Sequence, residues 1–316
     1  MLKKTVIAMS CTLVAIHSHA ADIDELLAPG KRILFLGDSI THAGHYISRI
    51  EAQLRTTHSD VVPVLINLGL PSETCSGLSE PDHPFPRPNV HERIDRALAK
   101  VKPEIVFACY GMNDGIYYPF SEDRFAAYQK GVNDIIAKVQ ASGAKLVLMT
   151  PPAFDALPLK KKGDLQPAGA DKYAWFAIYE GYDDVLKKYA KWLMTLEDRV
   201  DLVIDLHTPV NDYVAAKRKD NPDFTMSPDG VHVNEEGHQV LAIAILKRLG
   251  QEPIELNPTL LALVSKRQQL LHAAWVSHVG HQRPGVAAGL PLEDARSKAV
   301  EIDDDINSLQ IGTANQ

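Results

Sequence analysis

Short apolar segments alternate with longer amphipathic stretches along most of the chain. Five apolar runs have the length and composition of buried strands: Arg32–Leu36, Val61–Leu68, Glu104–Cys109, Lys145–Met149 and Leu202–Ile204. Five further stretches have helical character: Ile47–Arg55, Asn89–Lys100, Arg124–Ala141, Tyr179–Leu196 and Glu235–Leu249. This β/α alternation predicts a parallel five-stranded sheet covered by helices, a three-layer α/β/α sandwich.

Two long irregular segments, 71–88 and 151–170, interrupt this alternation and contain several prolines. Loops of ~15 residues or more are uncommon in compact domains unless they shape a site, so both are candidate walls of a substrate cleft. After Pro258 a helical run, Leu260–Val276, precedes a turn with glycine and proline and an acidic tail that ends near Asn307. We therefore expect a main domain over 21–256 and a helical C-terminal extension of open role over 257–316.

The first twenty residues have the features of a secretory signal peptide. Lys3 and Lys4 precede an apolar run from Thr5 to Ile16, and a small-residue cleavage site follows at Ala20. No later stretch reaches the ~20 consecutive apolar residues that a membrane helix needs. We expect export to the periplasm or beyond after cleavage near Ala20, without stable membrane insertion.

Charge and cysteine content narrow the candidate partners. The chain has 33 basic and 40 acidic side chains, a formal charge of −7, which argues against a surface that follows nucleic-acid phosphates. Nucleic acid is therefore not an expected partner, and the oligomeric state stays open. Beyond the signal segment two cysteines remain, Cys75 and Cys109, and the sequence fits either a disulfide between them or two free thiols.

Two segments far apart in the chain carry the first chemical candidates. The first predicted strand runs into Gly-Asp-Ser-Ile-Thr (37–41), which puts Ser39 at the sheet edge where open α/β folds bind ligands. A nucleophile fits this position, although a lone Gly-Asp-Ser is also typical of a helix N-cap. Much later, Ser-Pro-Asp-Gly-Val-His (227–232) places Asp229 and His232 three residues apart. There the carboxylate can bond one ring nitrogen and leave the other for a serine proton.

Two further segments offer donors for the oxyanion that forms in acyl transfer. Asn-Leu-Gly (67–69) ends the second strand, and Gly-Met-Asn-Asp (111–114) follows the third. Glycine at position 69 lets a backbone N–H approach a ligand, and Asn113 can point an amide into the same cleft. Each segment alone is an ordinary strand exit, but four complementary features at one sheet edge favour a serine esterase.

With these four blocks in place, the chain resembles the SGNH, or GDSL-like, hydrolase family over roughly residues 31–249. The resemblance implies a flavodoxin-like SGNH hydrolase fold and an esterase that needs no metal or organic cofactor. It implies Ser39 as nucleophile, His232 as general base and Asp229 as its orienting partner. The Ser39 and Gly69 N–H groups and the Asn113 side chain would form the oxyanion hole. One departure is Leu-Pro-Ser-Glu-Thr (70–74), where the family more often has a short glycine-containing stretch.

The residues around the blocks bear on the substrate. Polar and aromatic side chains prevail there, which suits sugar hydroxyls and a small acyl group better than a long acyl chain. Secreted members of the resembled family often deacetylate polysaccharides. The candidate substrate contacts are Asp38, His42, Glu73, Tyr117, Tyr118, Trp175 and Tyr179. For Asp38, as for Asp114, a turn-stabilising role is favoured. The hypothesis is a carbohydrate O-acetylesterase acting on acetylated carbohydrate or another small ester.

Other interpretations stay open. A short-chain or lipid esterase would use the same chemistry, and a non-catalytic carbohydrate-binding protein would use only the aromatic side chains. His42 and His45 lie three apart, but no familiar metal-site spacing includes them, so helix-entry or rim roles are favoured. Cys75 lacks a neighbouring base and is a poor thiol nucleophile. His281 or Arg283 could reach the cleft mouth, although a packed helix end is favoured.

Overall fold

The computed structural model describes residues 26–57 and 62–314, so the predicted signal segment lies outside the described residues. The strands are β1 (Arg32–Gly37), β2 (Val64–Asn67), β3 (Ile105–Cys109), β4 (Lys145–Met149), β5 (Leu165–Gln166), β6 (Ile178–Tyr179) and β7 (Leu202–Ile204). Five of them form a parallel sheet in the order β2-β1-β3-β4-β7, and β5 pairs with β6 separately. The predicted five-stranded parallel sheet is confirmed.

Helices connect the strands and extend beyond the last one. They are α1 (Ser39–Ala43), α2 (His45–Thr57), α3 (Ile94–Val101), α4 (Glu122–Ala141), α5 (Ala156–Lys162), α6 (Tyr182–Leu193), α7 (His207–Arg218), α8 (Glu235–Arg248), α9 (Pro258–Val279) and α10 (Leu292–Ala314). The segment from Asn89 was predicted as helix but begins as a single 3₁₀ turn, and α3 starts only at Ile94. α7 escaped prediction because its buried positions, His207, Val210 and Val214, are sparse among polar residues.

The sheet is buried because its strands are almost wholly apolar. β3 is buried at every position, as expected for a central strand covered on both faces. Phe35 of β1 and Phe107 of β3 are register partners, and their rings stack with centroids 4.9 Å apart. Because β1, β2 and β3 run parallel, their carboxyl ends meet at one edge of the sheet. Ser39, Gly69 and Asn113 follow these three ends.

The C-terminal helix α9 packs against α2, β2 and α10. Its start is defined by Asn257, whose side chain accepts the backbone N–H groups of Thr259 and Leu260. Leu260, Val264, Gln268 and His272, each four residues from the next, form a buried row on this helix. The predicted helical extension is confirmed, and its acidic tail is α10. The division of the chain into separate domains stays a prediction.

The structure bears on two expectations from the sequence: the state of the two cysteines and the lack of a membrane-spanning helix. Cys75 and Cys109 are both buried free thiols. The Sγ of Cys109 lies 3.6 Å from the Thr150 carbonyl oxygen, as is common for a thiol packed inside a sheet. None of the helices over 26–57 and 62–314 combines the length and the apolar character that a bilayer crossing requires.

Candidate active site

Ser39 lies at a tight turn between β1 and α1. Asp38 caps α1, since its Oδ1 accepts the backbone N–H of Ile40 at 3.0 Å. A Cβ on Gly37 would lie 2.3 Å from the Thr41 Oγ1, so only glycine permits this close approach. The turn places Ser39, half-buried, at the carboxyl edge of the sheet.

A chain of hydrogen bonds joins Ser39 to a histidine and an aspartate from the other end of the fold. His232 Nε2 lies 2.8 Å from Ser39 Oγ, and His232 Nδ1 lies 2.6 Å from Asp229 Oδ2. Asp229 Oδ1 also accepts the backbone N–H groups of Val231 at 3.0 Å and His232 at 2.8 Å. Gly230, at φ +80°, permits this turn. Because the carboxylate accepts at Nδ1, the proton resides there and Nε2 is left to accept the serine proton.

The electrostatics of this pair suit proton transfer. Although partial burial acts in the opposite direction, hydrogen bonds from His232 lower the pKa of Asp229 to about 2. The hydrogen bond with Asp229 raises the pKa of His232 against the effect of burial, and the nearby Asp38 carboxyl adds to the rise. The His232 and Asp229 side chains are 53% and 56% exposed, so the pair lies in an open site. An ionised carboxylate thus stabilises the imidazolium that forms when His232 accepts a proton.

The oxyanion donors are arranged only partly as predicted. The Ser39 N–H opens α1, at a position that has no intrahelical partner. The Gly69 N–H donates to Asn67 Oδ1 at 2.8 Å. A Cβ at Gly69 would lie 2.3 Å from the His42 backbone nitrogen, so the packing of α1 on this loop requires the glycine. The prediction that Gly69 offers a free N–H is therefore wrong for this structure, because the Asn67 side chain occupies it.

Asn113 is buried, and both ends of its amide are held. Nδ2 donates to the Glu73 carbonyl oxygen at 3.2 Å, and Oδ1 accepts a hydrogen bond from the Tyr117 hydroxyl at 2.8 Å. Because the amide has two N–H protons, one remains for a substrate oxygen. Ile116 and Tyr117 have positive φ, 45° and 64°, which is unfavourable for side chains of this size. This strained turn returns the Tyr117 hydroxyl to the Asn113 amide.

Two predicted substrate contacts, Glu73 and Tyr117, are buried and have other partners. Glu73 is fully buried, and both of its carboxylate oxygens accept hydrogen bonds from Arg93 at 2.6 Å. Tyr117 is 4% exposed and contacts Asn113 instead of the cleft surface. Both predictions are corrected. The segment after Gly69 was predicted to be a wall of the substrate cleft, and the buried ion pair between Glu73 and Arg93 anchors it to the core.

Asp38 and Asp114 are two further buried carboxyls beside the site. Asp38 has the favoured turn-stabilising role, and its 3% exposure is incompatible with the alternative role as a substrate contact. Burial raises its pKa to about 7. Asp114 Oδ1 accepts the backbone N–H groups of Cys75 at 2.9 Å and Ser76 at 2.7 Å, and burial raises its pKa too. Asp114 therefore braces the long loop after β2 rather than its own turn.

The remaining predicted contacts lie at or near the surface. Tyr118, Tyr179 and His42 are half-buried. Trp175 is 51% exposed, and the neighbouring Phe176 is 48% exposed with its ring edge-on to the indole at 5.3 Å. Exposed aromatic pairs of this kind are candidate surfaces for stacking on a ligand.

A series of contacts connects this aromatic segment to the Asn113 amide. The Trp175 backbone N–H donates to Glu80 Oε1 at 3.3 Å, and Glu80 pairs with Arg87 through hydrogen bonds of 2.6 and 2.8 Å. The Arg87 guanidinium lies 5.3 Å from the centroid of the Tyr117 ring. Since the Tyr117 hydroxyl donates to Asn113, the exposed aromatic segment and the Asn113 amide belong to one connected wall of the site.

The sequence interpretation missed the contribution of α9. His272 is buried, its Nε2 lies 2.9 Å from His42 Nδ1, and its Nδ1 lies 3.4 Å from the Asn67 carbonyl oxygen. A signal was present, because His272 lies at the four-residue spacing that Leu260 and Val264 begin on α9. That signal indicates a buried polar contact but does not name its partner.

Of the two C-terminal candidates for the cleft mouth, Arg283 reaches the long loop after β2. Its Nε donates to the Pro71 carbonyl oxygen at 3.2 Å, and its guanidinium lies 5.1 Å from the centroid of the Phe85 ring. His281 instead accepts the backbone N–H of Arg283 at 3.2 Å. Arg283 therefore fastens the segment after α9 to the long loop after β2.

The histidines near Ser39 do not form a cluster suited to a metal ion. His45 Nδ1 pairs with Glu235 Oε1 at 2.5 Å, and His42 faces His272. Among residues 26–57 and 62–314, no group of three or more His, Cys, Asp or Glu side chains is arranged around a possible metal position.

Comparison with known proteins places this site in a family. The model of the GDSL-like lipase/acylhydrolase family matches residues 35–240, and no curated protein matches the chain. BT4096, a gut microbial diltiazem-metabolizing enzyme, aligns at 20% identity and TM-score 0.56 over 70% of this chain and 47% of its own, so this chain spans about half of it. A variant of Axe2, an acetyl-xylooligosaccharide esterase from Geobacillus stearothermophilus, aligns at 19% identity and TM-score 0.52 over 73% of this chain and 99% of its own.

At these identities the solved structures establish the fold alone. The family match runs from β1 into α8 and includes all four blocks, with Ser39, Gly69, Asn113 and the Asp229–His232 pair. The chain belongs to the GDSL-like lipase/acylhydrolase family and is a carboxylic ester hydrolase.

Proposed function

We propose that this chain is a serine esterase that removes O-acetyl groups from carbohydrate, with Ser39 as nucleophile, His232 as general base and acid, and Asp229 as its orienting carboxylate. The observation that carries the catalytic roles is the continuous hydrogen-bonded series from Asp229 through His232 to the Ser39 hydroxyl. Its distances are those at which proton transfer between nucleophile and base takes place.

In the proposed reaction, His232 Nε2 takes the Ser39 proton as Oγ attacks the ester carbonyl carbon. The oxyanion of the tetrahedral intermediate accepts hydrogen bonds from the Ser39 N–H and the remaining Asn113 amide proton. Each such donor contributes roughly 2.7–4 kcal/mol in comparable sites. The Gly69 N–H would join them only if the Asn67 side chain turned away from it. His232 then protonates the leaving sugar oxygen and activates the water that hydrolyses the acetyl-enzyme.

The shape and surroundings of the site support a carbohydrate substrate. A half-exposed His232–Asp229 pair suits an acetyl group carried on a larger polar molecule, since the rest of that molecule can stay in solvent. Trp175 and Phe176 offer flat apolar faces for sugar rings, and Lys172 lies 5.0 Å from the centroid of the Phe176 ring. The resemblance in fold to an acetyl-xylooligosaccharide esterase is consistent with the same substrate class.

We also propose that the enzyme works outside the cytoplasm, because residues 1–20 have the pattern of a cleavable signal. Expression of the full chain in a Gram-negative host tests this. A mature N-terminus at Ala21 in the periplasmic fraction supports export, and an intact Met1 in the cytoplasmic fraction contradicts it.

The substrate is tested by acetate release from a panel of acetylated polysaccharides and by cleavage of p-nitrophenyl acetate, octanoate and palmitate. Ser39→Ala should abolish all of these activities. Ser297→Ala, which alters an exposed serine on α10, is the matched control and should retain them. Preference for the long p-nitrophenyl esters would make the chain a lipid esterase, and activity that survives in Ser39→Ala would refute the nucleophile.

A further inference from the structure

The imidazoles of His42 and His272 form a pair beside the nucleophile that the mechanism above does not use. His42 lies on α1 three residues after Ser39, and side chains three apart on a helix share a face. His272 comes from α9, in the C-terminal part of the chain. The ring nitrogens His42 Nδ1 and His272 Nε2 are 2.9 Å apart.

The other contacts of the two rings define which nitrogens carry protons. His272 Nδ1 faces the Asn67 carbonyl oxygen at 3.4 Å, and a carbonyl can only accept, so Nδ1 is the protonated nitrogen of His272. Its Nε2 therefore has a lone pair and accepts the hydrogen bond from His42 Nδ1–H. The same His42 proton also faces the Gly69 carbonyl oxygen at 3.2 Å. Each of these contacts requires the Nδ1–H tautomer of His42.

Both rings are kept uncharged near neutral pH. Burial lowers the pKa of His272 to about 3, with His42 and Arg93 adding to the effect. Burial also lowers the pKa of His42, and the nearby Arg283 and His281 lower it further. With Nδ1 protonated and the ring neutral, His42 Nε2 is a hydrogen-bond acceptor. Among residues 26–57 and 62–314 it has no hydrogen-bond partner.

We propose that His42 is a specificity residue whose Nε2 accepts a hydrogen bond from a free sugar hydroxyl next to the ester, and that His272 is a positioning residue that fixes its tautomer. This inference rests on the proposed carbohydrate substrate. It gives α9 a role in the site: one buried histidine, together with the Gly69 carbonyl oxygen, sets the proton position on the ring beside the nucleophile. The ordinary alternative, the Nε2–H tautomer, would present a donor instead of an acceptor at the same place.

Two matched substrates test the proposal: methyl 2-O-acetyl-β-xylopyranoside, which has a free neighbouring hydroxyl, and its 3-O-methyl ether, which lacks that donor. We expect the full-length enzyme to prefer the first in kcat/KM by roughly ten-fold, the effect of one neutral hydrogen bond. The preference should disappear in His42→Phe and shrink in His272→Leu, mainly through KM. His278→Gln, an exposed histidine on the same helix, should keep it.

Nitrogen-15 NMR of histidine-labelled enzyme reads the tautomer independently of activity. In the wild type at pH 7, the His42 resonances, assigned with His42→Phe, should show a protonated Nδ1 and an unprotonated Nε2. His272→Leu removes the shorter of the two contacts that hold the Nδ1–H tautomer and leaves the Gly69 carbonyl oxygen, so the Nε2–H tautomer should become detectable beside the Nδ1–H form. A merely structural role of His272 would leave the tautomer unchanged. A protonated Nε2 in the wild type would overturn the proposal.

The kinetic outcomes separate the two proposals. Equal hydrolysis of both xylosides by the wild type would overturn hydroxyl recognition while leaving deacetylation intact. Hydrolysis of p-nitrophenyl acetate with no activity on either xyloside or on any acetylated polysaccharide of the panel would overturn the proposed substrate and, with it, the role of His42. Should His272→Leu fail to fold, the NMR signature of the wild type and the substrate preference of His42→Phe still decide the question.

Discussion

Replacement of Asp38 by asparagine separates the cost of a buried carboxyl from its function as a helix cap. Asparagine caps helices about as well as aspartate, so the hydrogen bond to the Ile40 N–H is retained. The amide cannot ionise, however. Because Asp38 is 3% exposed, any effect of its charge acts inside the protein rather than through solvent.

The magnitude follows from the shift of the Asp38 pKa from 3.8 to about 7, caused first by burial. The folded pKa lies above the unfolded value, so the folded state favours the protonated carboxyl. Stability of the wild type therefore falls as pH rises from about 4 to 7, and the full penalty of ~4 kcal/mol persists above that window. Between pH 5 and pH 8 the penalty grows by about 2–3 kcal/mol.

Urea unfolding of the full chain at pH 5 and pH 8 measures this change. We expect the free energy of unfolding of Asp38→Asn, relative to the wild type, to increase by that amount from the lower to the higher pH. Asp171→Asn, at an exposed position, is the control and should show a constant difference from the wild type. A free-energy difference between Asp38→Asn and the wild type that stays constant from pH 5 to pH 8 would refute the claim that burial raises the pKa of this carboxyl.

Three further substitutions test other parts of the site. Asp229→Asn should lower kcat on p-nitrophenyl acetate by up to ~10⁴-fold. Because Asp229 raises the pKa of His232, the residual activity should persist to lower pH, and an unshifted acid limb of the pH–rate profile would contradict that coupling. Tyr117→Phe should lower kcat roughly 2- to 10-fold at constant KM, because the Asn113 amide loses one hydrogen bond; an effect on KM alone would contradict the positioning role. Arg93→Met should lower the free energy of unfolding by ~3–5 kcal/mol because it leaves the buried Glu73 without its cation, and an unchanged urea midpoint would show that the pair is dispensable.

The sequence predicts the Ser39, Asp229 and His232 geometry because each part of it is local. A serine two residues after a strand must appear at the sheet edge, and an aspartate three residues before a histidine across a glycine can reach the ring. Only the meeting of the two segments is a long-range event, and the order of the parallel strands determines it. Local spacing and fold class together therefore suffice for these three residues.

The functions of Gly69 and Glu73 could not be predicted in this way. Gly69 has the right position for an oxyanion donor, but the Asn67 side chain occupies its N–H. The Asn67 amide is in turn held by the Thr41 carbonyl oxygen on α1, 26 residues away in the chain, at 2.7 Å. Glu73 stands in a loop rich in proline, where an exposed side chain is the usual expectation. Its partner Arg93 lies just before α3, and nothing in the spacing of the two indicates that they meet in the core.

Three buried carboxyls around Ser39 show why long-range contacts accumulate at this site. Asp38, Glu73 and Asp114 are all buried, and the pKa of Asp38 is raised first by burial and then by the other two carboxyls. Only Glu73 has a guanidinium partner, while Asp38 and Asp114 accept backbone N–H groups of the site loops. Each of these residues is thereby bonded to a segment whose position matters: Asp38 to the turn that carries Ser39, Glu73 to Asn113, and Asp114 to the loop after β2. Burial of these groups destabilises the fold, and in return it gives the loops around Ser39 fixed positions that apolar packing alone would not define.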